Sequence, residues 1–141
     1  MKHSEVLKKW IWNRYQENDK YKYQCLAWVK KYCEEMDRPI WSFWWAAYNW
    51  WVTWKPFNNK WKKIPKTPLN YPSEGDVVIW GTTWGGWCWH IAIAWKFCNP
   101  MVLRTTDQNA GNWNGDWLGK NAILPFFRSY KWVLGWYTWV W

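Results

Sequence analysis

Long apolar runs, paired cysteine motifs and acidic residues are all scarce in this sequence. No apolar stretch reaches the roughly 18 residues that a membrane-spanning helix needs. The nearest, WSFWWAAYNWWVTW at 41–54, is too short and contains Asn49. The opening MKHSEVLKKWIWNRY has neither the apolar centre nor the small-residue cleavage site of a secretory leader, so export is expected by another route. The cysteines, Cys25, Cys33, Cys88 and Cys98, do not form the paired CxxC knuckles of a structural zinc site. Cys88 and His90 make one C-x-H pair, half of such a site, and no second pair completes it. An apolar content of 50% in 141 residues supports a core without disulfide staples. Asp and Glu number 10 against 19 Lys and Arg, a net charge of +9. That field suits an anionic partner such as nucleic acid, an acidic wall polymer or an anionic membrane face, or simply a soluble basic surface. No nucleic-acid-binding motif accompanies the charge, so nucleic acid is not an expected partner.

The order of periodicities predicts an α+β chain. Val6, Leu7, Trp10 and Ile11 recur at helical spacing within Ser4–Tyr15. A second helix is expected from Gln24 to Met36, with Cys25, Trp28, Val29, Tyr32 and Cys33 on its apolar face and Pro39 ending it. Residues 40–54 are ambiguous and fit a third helix. The proline-rich stretch 58–73 reads as loop. Strand signals then follow at 76–81, 90–95, 101–106, 122–130 and 133–139, with a Gly- and Asn-rich turn region at 107–121. Helices first and strands afterwards imply N-terminal helices packed on a mainly antiparallel sheet of about five strands. Neither a repeat nor a linker divides residues 1–141, which are expected to form one domain and to act as a monomer.

Three residue types in this pattern point to thiol chemistry. Cys25 falls at the expected start of a helix, where backbone N–H groups favour a thiolate. Cys33, eight residues on and on the same face, reads as core. His90 opens an apolar strand after a Gly-rich turn and is the plausible base, because His3 lies near the chain start and reads as frayed. Thr106-Asp107-Gln108-Asn109 ends the next strand, so Asp107 or Asn109 is placed to accept the imidazole N–H and fix its tautomer.

These residues also occur in a recognisable order. Tyr23-Gln24-Cys25 before an amphipathic helix, then EGDVVIW at 74–80, HIAIA at 90–94, DQN at 107–109 and GWY at 135–137, together resemble the ordered motifs of CHAP domains, the cysteine, histidine-dependent amidohydrolases/peptidases of the papain-like superfamily. The resemblance implies a papain-like fold over the whole chain, with Cys25 as nucleophile and His90 as base. By the same resemblance Asp107 orients His90, Asn109 supports it, and Gln24 completes an oxyanion hole with the Cys25 backbone N–H. It implies hydrolysis of amide bonds in peptidoglycan, by an N-acetylmuramoyl-L-alanine amidase or an endopeptidase, as in phage lysins and wall-remodelling enzymes. No cofactor is expected. Some relatives bind calcium through acidic residues before the cysteine and an Asp two residues after it. Glu17, Asp19 and Tyr21 partly echo that loop, but Ala27 replaces the Asp, so no metal is expected. A second departure is Trp89, where the family favours Gly. The competing reading, drawn from composition, is a non-enzymatic, cationic, Trp-rich binder of membranes or glycans.

Tryptophan is the anomaly: the chain carries 21. Trp113 and Trp117 interrupt a turn sequence, GNWNGDWLGK, that asks for glycine, and Trp41, Trp45, Trp50, Trp87 and Trp89 are further suspects. Trp80 and Trp136 fit apolar strand positions. The pattern fits UGA codons read as Trp in a chain whose source reads UGA as Gly; the alternative is a genuinely Trp-rich chain whose indoles serve a membrane interface or stack on sugars.

Overall fold

The computed structural model describes residues 2–11, 25–38, 40, 51, 60–81, 90–107 and 124–140, with the backbone alone at 25–27 and 124. The expected third helix at 40–54 and the turn region at 108–121 lie outside these residues, apart from Ile40 and Trp51.

Helix α1 spans His3–Trp10 and buries Val6 and Leu7. Its charged side docks on helix α2, Cys25–Glu35: Lys9 Nζ and Trp10 Nε1 both donate to Glu35 Oε1, at 2.8 and 3.3 Å. The end of α2 is set before Pro39. Asp37 takes a left-handed φ of 56°, and the Arg38 amide turns back to the Cys33 carbonyl at 2.9 Å, which satisfies one of the helix's open acceptors.

Six antiparallel strands follow among the described residues: β1 (Trp61–Pro65), β2 (Val77–Trp80), β3 (His90–Ala94), β4 (Leu103–Asp107), β5 (Leu124–Arg128) and β6 (Val133–Trp139). Their spatial order is β1-β6-β2-β3-β4-β5. The fold is therefore α+β, as expected. The strand count is corrected by β1, which lies inside the stretch read as loop. Trp61 to Ile64 pair with Trp139 to Trp136 at the sheet margin, where Pro65 is tolerated because an edge strand has spare donors. Nothing local in WKKIP announces that pairing.

The two faces of the sheet do different work. Val77, Ile79, Ile91, Ile93 and Tyr137 form one core with Val6, Leu7, Trp28, Val29, Tyr32 and Cys33 from the helices. Val78, Trp80, Ala92, Ala94, Leu103, Val133 and Trp136 form a second core on the other face. Val133 and Trp136 share that face, against simple alternation, because the β2–β6 register skips Leu134. Gly135 sits beside this bulge, and a Cβ there would collide with the Ile64 carbonyl of β1. Only glycine allows the edge strand to come so close.

Two kinds of tryptophan position stand out among the described residues. Trp28, Trp80 and Trp136 are among the largest fully buried side chains or nearly so, at 0%, 1% and 2% exposure, and behave as core residues. Trp132 is different: it is 48% exposed and held at φ 71°, a backbone conformation that suits glycine. The suspects Trp41, Trp45, Trp50, Trp87, Trp89, Trp113 and Trp117 lie outside the described residues.

Candidate active site

His90 is the first residue of β3, and Asp107 is the last residue of β4. In the β3–β4 register Ile93 faces Thr106 and Ala94 faces Thr105, so Asp107 stands opposite Ala92, one diagonal step from His90. Side chains two apart on neighbouring strands share a face and can meet. Here His90 Nε2 lies 2.6 Å from Asp107 Oδ2. A carboxylate only accepts, so Nε2 carries the hydrogen and Nδ1 is left as the basic nitrogen.

Both groups are sheltered. The imidazole is 6% exposed and the carboxylate fully buried. Two further groups hold Asp107. The Thr105 hydroxyl donates to Oδ1 at 2.5 Å, and Arg128 Nη2 approaches Oδ2 at 3.3 Å. Trp80 stands beside the imidazole with ring centroids 5.2 Å apart, tilted by 51°. An imidazole fixed in one tautomer by a buried carboxylate can remove a proton from an acid such as a thiol and later return it to a leaving group.

Cys25 is the first residue of α2, as the sequence predicts. α2 packs on β3 from the Ile91 and Ile93 side, whereas His90 belongs to the face of Trp80 and Ala92. Near this end of the sheet, Trp28 Nε1, one turn beyond Cys25, donates to the Thr106 carbonyl at 3.1 Å. That bond ties the first turn of α2 to the residue before Asp107. Gln24 and Asn109, and the calcium candidates Glu17, Asp19 and Tyr21, lie outside the described residues. So does Cys88, the partner of His90 in the C-x-H pair. Among the described residues no group of three or more His, Cys, Asp or Glu could hold a metal ion.

No protein-family model matches the chain, and no curated protein matches it in sequence. Solved structures are similar in fold. The chain is similar to a wild-type endolysin, LysIME-EF1, with a TM-score of 0.75 over 98% of this chain at 19% identity. It covers 64% of that endolysin chain, so it spans somewhat less than two thirds of its neighbour's length. At this identity the likeness establishes an endolysin-like fold.

Cys33 and Cys98 are poor nucleophiles. Cys33 is fully buried in the helix–sheet core, as expected, and burial pushes its thiol up to about 12. Cys98 lies 3.4 Å from the Arg104 amide and 3.4 Å from the Trp95 carbonyl, and burial raises its thiol as well. Both are free thiols.

His3 corrects the expectation of a frayed terminus. It is 7% exposed, and its Nδ1 meets the Tyr32 hydroxyl at 2.6 Å. Burial, aided by Arg38 and Lys96, lowers it from 6.5 to about 4. It is therefore neutral near pH 7, and its 3.8 Å approach to Glu74 is a polar contact, not an ion pair. Asp76, at the foot of β2, is raised by burial from 3.8 to about 6 although the Ser73 amide donates to it at 2.8 Å.

Sequence reading missed Arg128 and Thr105. Thr105 carried a signal, since it shares a strand face with Asp107 two residues on. Arg128 carried none. It sits on a different strand and reaches Asp107 after stacking on Phe126, 4.1 Å from the ring centroid.

Proposed function

We propose that the chain is a cysteine hydrolase of amide bonds in bacterial peptidoglycan, of the papain-like, CHAP type. The observation that carries this reading is the buried 2.6 Å contact between His90 and Asp107, the two residues that the ordered motifs pair. The endolysin-like fold agrees with it. Residues 1–141 act as one catalytic domain and as a monomer at the cell wall, without a metal.

Cys25 gives its proton to His90 Nδ1 and attacks the scissile carbonyl as thiolate. Asp107 holds Nε2–H and stabilises the imidazolium. The N–H of Cys25 at the start of α2, with Gln24, receives the developing oxyanion. The imidazolium then protonates the leaving amine, and water, activated by the same imidazole, releases the acyl group from sulfur. Asn109 supports His90 from beyond Asp107. Because α2 packs on the opposite face of β3, the thiol has to meet the imidazole round the His90 end of that strand. His90 suits this, being the residue at that end.

The test is digestion of purified walls with identification of the products, run on the chain as written and on a version with glycine at 89, 113, 117 and 132. New amino groups without new reducing ends support amide cleavage. Reducing ends alone, or intact walls with both versions, would overturn it.

A second reading, the non-enzymatic cationic binder, draws on one surface. Phe97 and Phe127, 70% and 76% exposed, flank the Arg104 guanidinium at 5.8 and 5.2 Å. Sedimentation with anionic vesicles or insoluble glycan, retained when Cys25 is replaced by Ala and unaccompanied by hydrolysis, would favour it.

A further inference from the structure

Arg128 has no part in the motifs and no role so far. Its guanidinium comes from β5, across β4, to the same oxygen of Asp107 that His90 uses. Arg128 Nη2 is 3.3 Å and His90 Nε2 2.6 Å from Oδ2, while Thr105 occupies Oδ1 at 2.5 Å. The side chains of His90, Asp107 and Arg128 are 6%, 0% and 12% exposed, so these charges act on one another with little solvent screening. The Phe126 ring, 4.1 Å from the guanidinium carbon, lies along the path of the side chain and limits its freedom.

Sharing an oxygen has two consequences. The guanidinium attracts the Asp107 carboxylate by charge, on the oxygen that His90 uses. A permanent cation also stands within a few ångströms of the place where the imidazolium forms, and it opposes that charge. Asp107 by itself favours the imidazolium. Arg128 offsets part of that pull.

We propose that Arg128 is a positioning residue for the His90–Asp107 pair, holding the carboxylate by charge and offsetting its pull toward the imidazolium. This rests on the catalytic reading of His90 above, but its first test does not. Asp107 from β4 meets His90, and Arg128 from β5 meets the same carboxylate. β2 brings the uncharged Trp80 ring, and α2 brings Trp28 to the neighbouring carbonyl.

The experiment is an NMR titration of the His90 ring carbon in the unsubstituted protein, in Arg128→Gln and in Arg128→Lys, followed by the pH profile of wall hydrolysis in each. Arg128→Gln should raise the His90 titration midpoint by about one pH unit or more, from the Coulomb energy of a neighbouring charge at partial burial. The acid limb of kcat/KM should move the same way. Arg128→Lys keeps the charge but loses the planar fork, so its midpoint should stay near the original while kcat falls several-fold at unchanged KM. An unmoved midpoint in Arg128→Gln overturns the proposal. So does a Lys variant whose midpoint rises as far as that of Gln. Should Arg128→Gln not fold, the Lys variant decides alone: a raised KM with unchanged kcat would make Arg128 a substrate contact and overturn the positioning role. A shifted midpoint in a protein that hydrolyses nothing would leave the Arg128 coupling intact and remove the hydrolase reading instead.

Discussion

The indole of Trp28 donates to the carbonyl of Thr106 across 3.1 Å, which fastens the first turn of α2 to the strand that ends in Asp107. The two residues are 78 apart in sequence. One bond thus links the helix that begins with Cys25 to the strand that orients His90. Trp28→Phe keeps the aromatic volume and removes the donor. It should cost about 1–2 kcal/mol in chemical denaturation, and wall hydrolysis should fall by more than that loss of stability explains. Unchanged hydrolysis in a folded Trp28→Phe variant would mean that this link does not set the active geometry.

Thiol chemistry separates the nucleophile from its bystanders. Cys33, at about 12, and Cys98, raised by burial, should react slowly with iodoacetamide at pH 7. Cys25 should react at least about tenfold faster than either. Cys25→Ala and His90→Ala should both abolish hydrolysis with the circular dichroism spectrum unchanged, whereas Asp107→Ala should retain a measurable residue of activity. Mass spectrometry of the alkylated peptides reads the first result and the wall assay the second.

Stability should respond to pH through two buried groups with opposite signs. Folding lowers His3 from 6.5 to about 4, so below pH 6.5 the unfolded chain takes up a proton that the folded chain refuses, and stability is lost as pH falls toward 4. Folding raises Asp76 from 3.8 to about 6, so the folded chain keeps a proton that the unfolded chain has released, and stability is lost as pH rises from about 4 through 6. Between pH 4 and 6 the two slopes oppose each other. His3→Gln should therefore uncover a midpoint in urea that falls with rising pH. Asp76→Asn should uncover one that rises. Parallel profiles for both variants would contradict the assignment.

Trp132 tests the tryptophan anomaly inside the described fold. It is the third residue of a four-residue turn closed by the Val133 amide on the Tyr130 carbonyl at 3.0 Å, with φ 71°. A left-handed conformation costs a residue with a Cβ about 1 kcal/mol or more, and glycine nothing comparable. Trp132→Gly should raise stability by about 1 kcal/mol, whereas Trp136→Gly, in the second core, should lower it by about 3 kcal/mol or more. Trp89→Gly, next to His90 in sequence, should raise kcat/KM by about tenfold, roughly 1.4 kcal/mol of barrier. UGG codons at 89, 113, 117 and 132 in the gene would end the miscoding idea outright.

Local pattern already determined much of this protein. Helical spacing of Trp28, Val29, Tyr32 and Cys33 specifies α2, and the unbroken apolar runs in DVVIWG and HIAIAW specify β2 and β3, because a strand buried on both faces reads as a continuous apolar segment. The pairing of His90 with Asp107 was also legible, since consecutive antiparallel strands bring the start of one beside the end of the next. Tertiary structure alone decided the rest. β1 exists because β6 offers it a margin and Gly135 lets it approach, and no property of WKKIP encodes that distant partner. His3 is buried because Tyr32 and Glu74 close over a helix end that, by itself, would fray. Arg128 reaches Asp107 because β4 and β5 pair in one register, and register is a relation between segments that neither segment carries alone.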